Sequence, residues 1–138
     1  MKDKLDMEKE LIIKATDKTP SINFNTKSGR LQIHGYSLPE NSIGFYEPVI
    51  SWLDKYNLAP NKKTEFDIRL IILNTSSSKM FIDIIRKINH LVELNNSEVS
   101  VVWYYEIDDE DIHEIALEYK EICKAKFDII GTHHRLIE

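Results

Sequence analysis

A single cysteine, Cys123, leaves no partner for an internal disulfide and no cysteine cluster for zinc. Glycine is nearly as scarce: only Gly29, Gly35, Gly44 and Gly131 occur in 138 residues. Neither a Walker loop nor a G-x-G-x-x-G dinucleotide turn can be built from them. No G-x-S-x-G nucleophile elbow is present. His113-Glu114 opens like the zinc-protease H-E-x-x-H, but Leu117 stands where the second imidazole belongs. No basic run occurs, and 18 Lys+Arg against 23 Asp+Glu give a net charge of −5. That balance speaks against nucleic acid or an anionic membrane as the main partner. No apolar stretch approaches the ~18 residues of a spanning helix. Met1-Lys2-Asp3-Lys4 leads into further charge, which predicts no secretory leader and a cytoplasmic protein. The glycosylation sequons at Asn74-Thr75-Ser76 and Asn95-Asn96-Ser97 are then never read.

Against these absences stand 42% hydrophobic and 30% charged residues, ordinary for a globular chain of single-domain length. Residues 1–10 read as a charged lead-in and 11–138 as one domain. Leu11-Ile12-Ile13 predicts a short first strand. Ser21 to Asn25 and Leu31-Gln32-Ile33 alternate with period two about a Thr26-Lys27-Ser28-Gly29 turn, as a hairpin does. Ile43, Tyr46, Val49, Ile50, Leu53 and Tyr56 then recur at helical spacing. Ser37 followed by Glu40, with Pro39 between, resembles a capping box for that helix, and Asn41 is a rival cap.

Phe66-Asp67-Ile68-Arg69 alternates and runs into Leu70-Ile71-Ile72-Leu73, a pattern that predicts a central strand covered by helices on both faces. A second helix carries Met80, Phe81, Ile84, Ile85, Ile88, Leu91 and Val92, and Leu94 to Ser97 form a turn. Val99 to Tyr105 is another strand, rich in β-branched and aromatic residues. Ile112, Ile115, Ala116, Tyr119 and Ile122 mark a third helix, and Phe127 to Ile130 a last strand. The order β-β-β-α-β-α-β-α-β predicts an α/β fold with a mixed, mostly parallel sheet and an antiparallel N-terminal hairpin. Trp52, Trp103 and Tyr105 read as core or as cover over the sheet.

Parallel strands at 66–73 and 99–106 would release their following loops at one carboxyl edge, where open α/β sheets place their working surface. One loop is Asn74-Thr75-Ser76-Ser77-Ser78, and the other Asp108-Asp109-Glu110-Asp111. A helix cap requires one Ser, Thr or Asn, so the first loop has hydroxyls to spare at a helix N-terminus. Such a position favours a phosphate, carried by a ligand or by the protein itself. The acidic run suits the first turn of a helix by charge–dipole complementarity. Contiguous Asp side chains on a helix diverge, so neither a metal nor another cofactor is expected there. Asp108, Asp109 and Asp111 instead predict an acidic, partner-facing rim. His133 and His134 read as exposed polar residues.

Four stretches together carry a family resemblance: Thr19-Pro20, Gly35-Tyr36-Ser37-Leu38-Pro39-Glu40-Asn41, Leu73-Asn74-Thr75-Ser76-Ser77, and Trp103-Tyr104-Tyr105-Glu106. In this order, over residues 11 to 128, the chain resembles the SiaC-type regulatory phosphoproteins, relatives in fold of the anti-sigma-factor antagonists with STAS-like domains. The resemblance implies a non-enzymatic partner switch. Its phosphoacceptor threonine falls on Thr75, with Asn74, Ser76, Ser77 and Ser78 as neighbours. It further implies a Ser/Thr kinase of histidine-kinase fold, a PP2C-type phosphatase, and an effector that binds the unphosphorylated form. In the SiaC branch that effector is a diguanylate cyclase, which ties the switch to cyclic-di-GMP and biofilm behaviour. The residues alone leave two other readings open. One is a nucleotide- or phosphate-binding module using the 74–78 loop as an anion site. The other is a small hydrolase with Thr75 or Ser76 as nucleophile, His113 as base and Asp111 orienting it.

Overall fold

Alternation and helical periodicity materialise as nine elements in the computed structural model, which describes residues 10–94 and 97–136. They are β1 (Glu10–Ile13), β2 (Ser21–Asn25), β3 (Arg30–Ser37), α1 (Ser42–Tyr56), β4 (Lys63–Leu73), α2 (Thr75–Glu93), β5 (Glu98–Glu106), α3 (Glu110–Ile122) and β6 (Lys126–Thr132). All of the charged lead-in except Glu10 lies outside the described residues, as do Asn95 and Asn96 of the expected turn. The six strands form one sheet in chain order, antiparallel from β1 to β3 and parallel from β3 to β6. Gly29 closes the β2–β3 hairpin at φ 72, where a side chain would be strained, and its N–H donates to the Asn25 carbonyl at 3.0 Å.

Strands added always on the same side, by right-handed crossovers, force all three helices onto one face of the sheet. Two layers result, and the expectation of helices on both faces of β4 is corrected. The run Leu70–Leu73 misleads because a β-bulge interrupts it. The β3–β4 register slips between Gly35 and Tyr36, so Leu70 and Leu73 both point inward while Ile72 is 43% exposed. Of the four consecutive apolar residues, Leu70 and Leu73 thus serve the covered face.

Between the layers, Phe81 of α2 meets the rings of Tyr46, Trp103 and Tyr119 at 5.6, 5.8 and 6.1 Å, and Trp103 continues to Phe127 at 6.4 Å. Trp52, Trp103 and Tyr105 are core, as their type suggests. Two expected core positions are not. Ile43 in the first turn of α1 is 69% exposed, and Ile122, the last residue of α3, is also exposed, because helix ends overhang the sheet.

The face without helices carries a charged cluster. Asp67 accepts from Arg69 Nε at 2.8 Å, Arg69 Nη2 at 3.1 Å and His34 Nε2 at 3.0 Å. The Arg69 guanidinium lies 4.2 Å from the centre of the Tyr104 ring.

Candidate functional site

The carboxyl ends of β3 to β6 share one edge of the sheet, and the 74–78 loop leaves β4 there. Asn74 caps α2: its Oδ1 accepts from the Ser77 N–H at 2.9 Å and its Nδ2 donates to the Pro39 carbonyl at 3.3 Å. Its own N–H donates to the Ser37 carbonyl at 2.9 Å. The loop is therefore bolted to the end of β3 at two points. Ser37 is the reason. It resembles a helix cap by its spacing from Glu40, but it is the buried last residue of β3, and Asn41 caps α1 by accepting from Gly44 N–H at 3.0 Å.

Beneath the loop runs a buried chain of hydroxyls. Ser37 Oγ donates to Ser77 Oγ at 2.8 Å, and Ser77 Oγ donates back to the Ser37 carbonyl at 3.3 Å. With the Ser37 proton committed, the 2.6 Å contact between Ser37 Oγ and Tyr46 Oη has the phenol as donor. Burial pushes the Tyr46 phenol well above its ordinary range, against a smaller opposite effect of the Ser37 bond, so it stays protonated. On the other side of α2, Tyr119 Oη donates to the Ser78 carbonyl at 2.8 Å, with its own pKa pushed by burial up to about 12.

The loop hydroxyls are consequently not equivalent. Ser77 is buried in the chain just described. Ser76 Oγ lies 2.6 Å from Ser42 Oγ and donates to Asn74 Oδ1 at 3.2 Å. Ser78 Oγ donates to the Asn74 carbonyl at 3.2 Å. Thr75, the first residue of α2, is exposed, and among the described residues its hydroxyl has no hydrogen-bond partner. It sits where the leading N–H groups of a helix lack acceptors within the helix. Sequence reasoning reached the loop but could not rank its hydroxyls. For Ser76 and Ser77 the ranking depends on Ser42, Ser37 and Tyr46, all remote in sequence.

The acidic run follows β5 on the adjacent strand. Asp109 is the cap of α3, its Oδ1 accepting from Ile112 N–H at 3.1 Å, while Asp108, Glu110 and Asp111 are exposed. Across an open cleft of about 570 Å³ they face Thr132, His133, His134 and Arg135. The two histidines are exposed, as read from the sequence, and their place opposite the acidic rim was not foreseen. Among the described residues, no group of three or more His, Cys, Asp or Glu side chains is placed to hold a metal ion. His113 lies flat on the Tyr105 ring, 4.7 Å between centres and 3° between planes. No hydrogen bond among the described residues joins it to Thr75, Ser76 or Asp111. No described helix is long and apolar enough to cross a membrane.

Comparison with known proteins adds to this geometry. The profile of the SiaC family regulatory phosphoproteins matches residues 13–132. An uncharacterised protein of Pseudomonas aeruginosa strain UCBPP-PA14 is 35% identical over 120 residues, covering 87% of this chain and 94% of its own. The crystal structure of apo-SiaC from P. aeruginosa superposes with a TM-score of 0.81 at 34% identity, over 88% of this chain and 98% of that one. A crystal structure of the diguanylate cyclase SiaD in complex with its activator SiaC, also from P. aeruginosa, superposes through SiaC with a TM-score of 0.82 at 34% identity. It covers 88% of this chain and 99% of the matched one.

Proposed function

This chain belongs to the SiaC family of regulatory phosphoproteins, and from that premise we propose that it is a cytoplasmic, non-enzymatic partner switch worked by reversible phosphorylation of Thr75. A Ser/Thr kinase adds the phosphate and a PP2C-type phosphatase removes it. The unphosphorylated form binds and controls an effector, a diguanylate cyclase by analogy with the partner of its structural neighbour. The observation that carries the reading is the singular state of Thr75: exposed, at the start of α2, and alone among the loop hydroxyls in having no bond within the described residues. A kinase can engage it without breaking the fold. The three serines already serve the protein's own hydrogen bonds, which leaves less of the loop for gripping an external anion.

Phosphorylation needs no large rearrangement to act. It adds about −1.5 to −2 charges, at a helix N-terminus that tolerates them, and on the edge that also carries Asp108 and Asp111. A partner covering that edge must then desolvate a charge. A cost of about 3 kcal/mol lowers affinity roughly a hundred-fold. Titration of the effector against variants tests this. Thr75→Ala is expected to bind as the unphosphorylated protein does, whatever the kinase does, and Thr75→Glu to bind weakly. Equal affinity of Thr75→Glu and the unmodified chain would refute the switch.

A further inference from the structure

Where α1 and α2 lie side by side, the surface between them forms a shallow groove of about 310 Å³ that the switch has not so far used. Ile43, Ile50 and Met80 supply its apolar floor, and every charged residue lining it is a carboxylate: Glu47, Asp54 and Asp83. Ile43 is the most exposed of the floor residues, at 69%. A β-branched apolar side chain turned to solvent in a first helical turn contributes nothing to this core. Glu47 has no hydrogen bond or ion pair among the described residues. Among the described residues, Asp83 pairs only with its own helix neighbour Arg86, at 3.0 Å. Asp54 is joined across the helices to Lys87 at 2.6 Å, which marks the far end of the groove.

The near end adjoins the phosphoacceptor loop. Ser42, next to Ile43 in the chain, is the residue whose hydroxyl lies 2.6 Å from Ser76, itself next to Thr75. Along α1 the order from that end is Ile43, Glu47, Ile50, Asp54, a stripe spaced three and four residues apart and about 16 Å long. Apolar surface thus begins beside Thr75, and carboxylates continue along the stripe.

We propose that this groove receives an amphipathic helix of a partner protein, with Leu- or Ile-like side chains over Ile43, Ile50 and Met80 and Lys or Arg side chains facing Glu47, Asp54 and Asp83. The selection of apolar and basic residues follows from charge complementarity, and a groove between two helices accepts a third by its i, i+3, i+4 anchors. Identifying that partner with the effector rests on the switch reading above; the groove itself does not. Under that identification, the segment passing Thr75 is the apolar end of the guest helix, which is where an added phosphate is least tolerated.

The probe is a pair of synthetic helical peptides of about 18 residues, five turns, one built of Leu and Lys, the other of Leu and Glu. Each is titrated into the ¹⁵N-labelled full chain, and amide shifts are followed by NMR. The Leu/Lys peptide is expected to move amides over residues 43–54 and 80–87, and the Leu/Glu peptide to leave them in place. Ile43→Asp is expected to weaken binding about ten-fold or more, and Glu47→Lys by several-fold; both positions are exposed, so the variants fold. Shifts centred elsewhere, an equal response to both peptides, or no binding of the Leu/Lys peptide would overturn the proposal. Repeating the titration with Thr75→Glu separates the two readings. Unchanged peptide affinity there, with Ile43→Asp impaired, removes the coupling to the switch and leaves the groove standing.

Discussion

Replacing Asp67 by Asn tests whether the helix-free face of the sheet is held by charge. The Asp67 side chain is 6% exposed and takes two bonds from Arg69 and one from His34, with Arg30 Nη2 a further 3.6 Å away. Burial by itself would push the carboxyl up, but the bonds from His34 and Arg69 and their charges outweigh it and hold the pKa at about 2, against an ordinary 3.8. At about 1.4 kcal/mol per unit, that difference corresponds to roughly 2 kcal/mol of stability. Because the folded value is the lower one, the unfolded chain takes up the proton first as pH falls. The contribution is therefore complete above about pH 5 and is lost as pH falls through 3.8 toward 2, with roughly half remaining at pH 3. Asp67→Asn keeps the shape, removes the charge and turns an amide donor toward Arg69. Urea unfolding of both proteins at pH 7, 4 and 3 reads the effect. The wild-type advantage is expected to be about 2 kcal/mol or more at pH 7 and to narrow by about 1 kcal/mol at pH 3. A gap that stays constant over that range would show that the carboxylate's charge is not the source.

Three further outcomes follow from the site and its frame. Asn74→Ala removes a cap and the bond to Pro39 and is expected to cost about 1–2 kcal/mol; Asn74→Asp, which keeps the cap, should recover most of it in thermal unfolding. Gly29→Ala places a Cβ 2.0 Å from the Lys63 carbonyl oxygen at φ +72. A cost of at least about 2 kcal/mol should lower the melting temperature by about 7 °C in calorimetry. Tyr46→Phe deletes the donor to Ser37 in a buried chain and should cost about 1 kcal/mol, with faster amide exchange at Ser77 as its local signature.

The alternation of strands and helices is legible in the sequence because one-sided burial writes itself as period two or as helical spacing. Val99, Val101, Trp103 and Tyr105 face the helices on every second position of β5. The pattern fails where a decisive contact is remote. Ser37 matches a cap signature three residues from Glu40, yet its place is decided by Tyr46 and Ser77. The number of covered faces on β4 is not written in Leu70–Leu73, because the bulge that absorbs one residue shows only in the pairing with β3. At the site, residue type located the hydroxyl loop and the acidic run. Ser76 and Ser77 differ from Thr75 by tertiary hydrogen bonds to Ser42 and Ser37, which no local pattern encodes, and Ser78 by a bond back to the Asn74 carbonyl within the same helical turn.

The chain-order sheet bears on how the protein forms. Each strand pairs with the one made before it, so during synthesis every new strand meets a partner already in place. Among the described residues no strand is inserted between two earlier ones, so no finished ladder of theirs has to open for a latecomer. Growth can start at the β2–β3 hairpin, whose contacts are local and quick to close, and proceed one crossover helix at a time toward the C-terminal side. At each stage the growing edge is the newest strand, with β1 at the opposite edge throughout. The last of these, β6, keeps Lys126 and Asp128 exposed along it, charges that discourage a second chain from continuing the sheet.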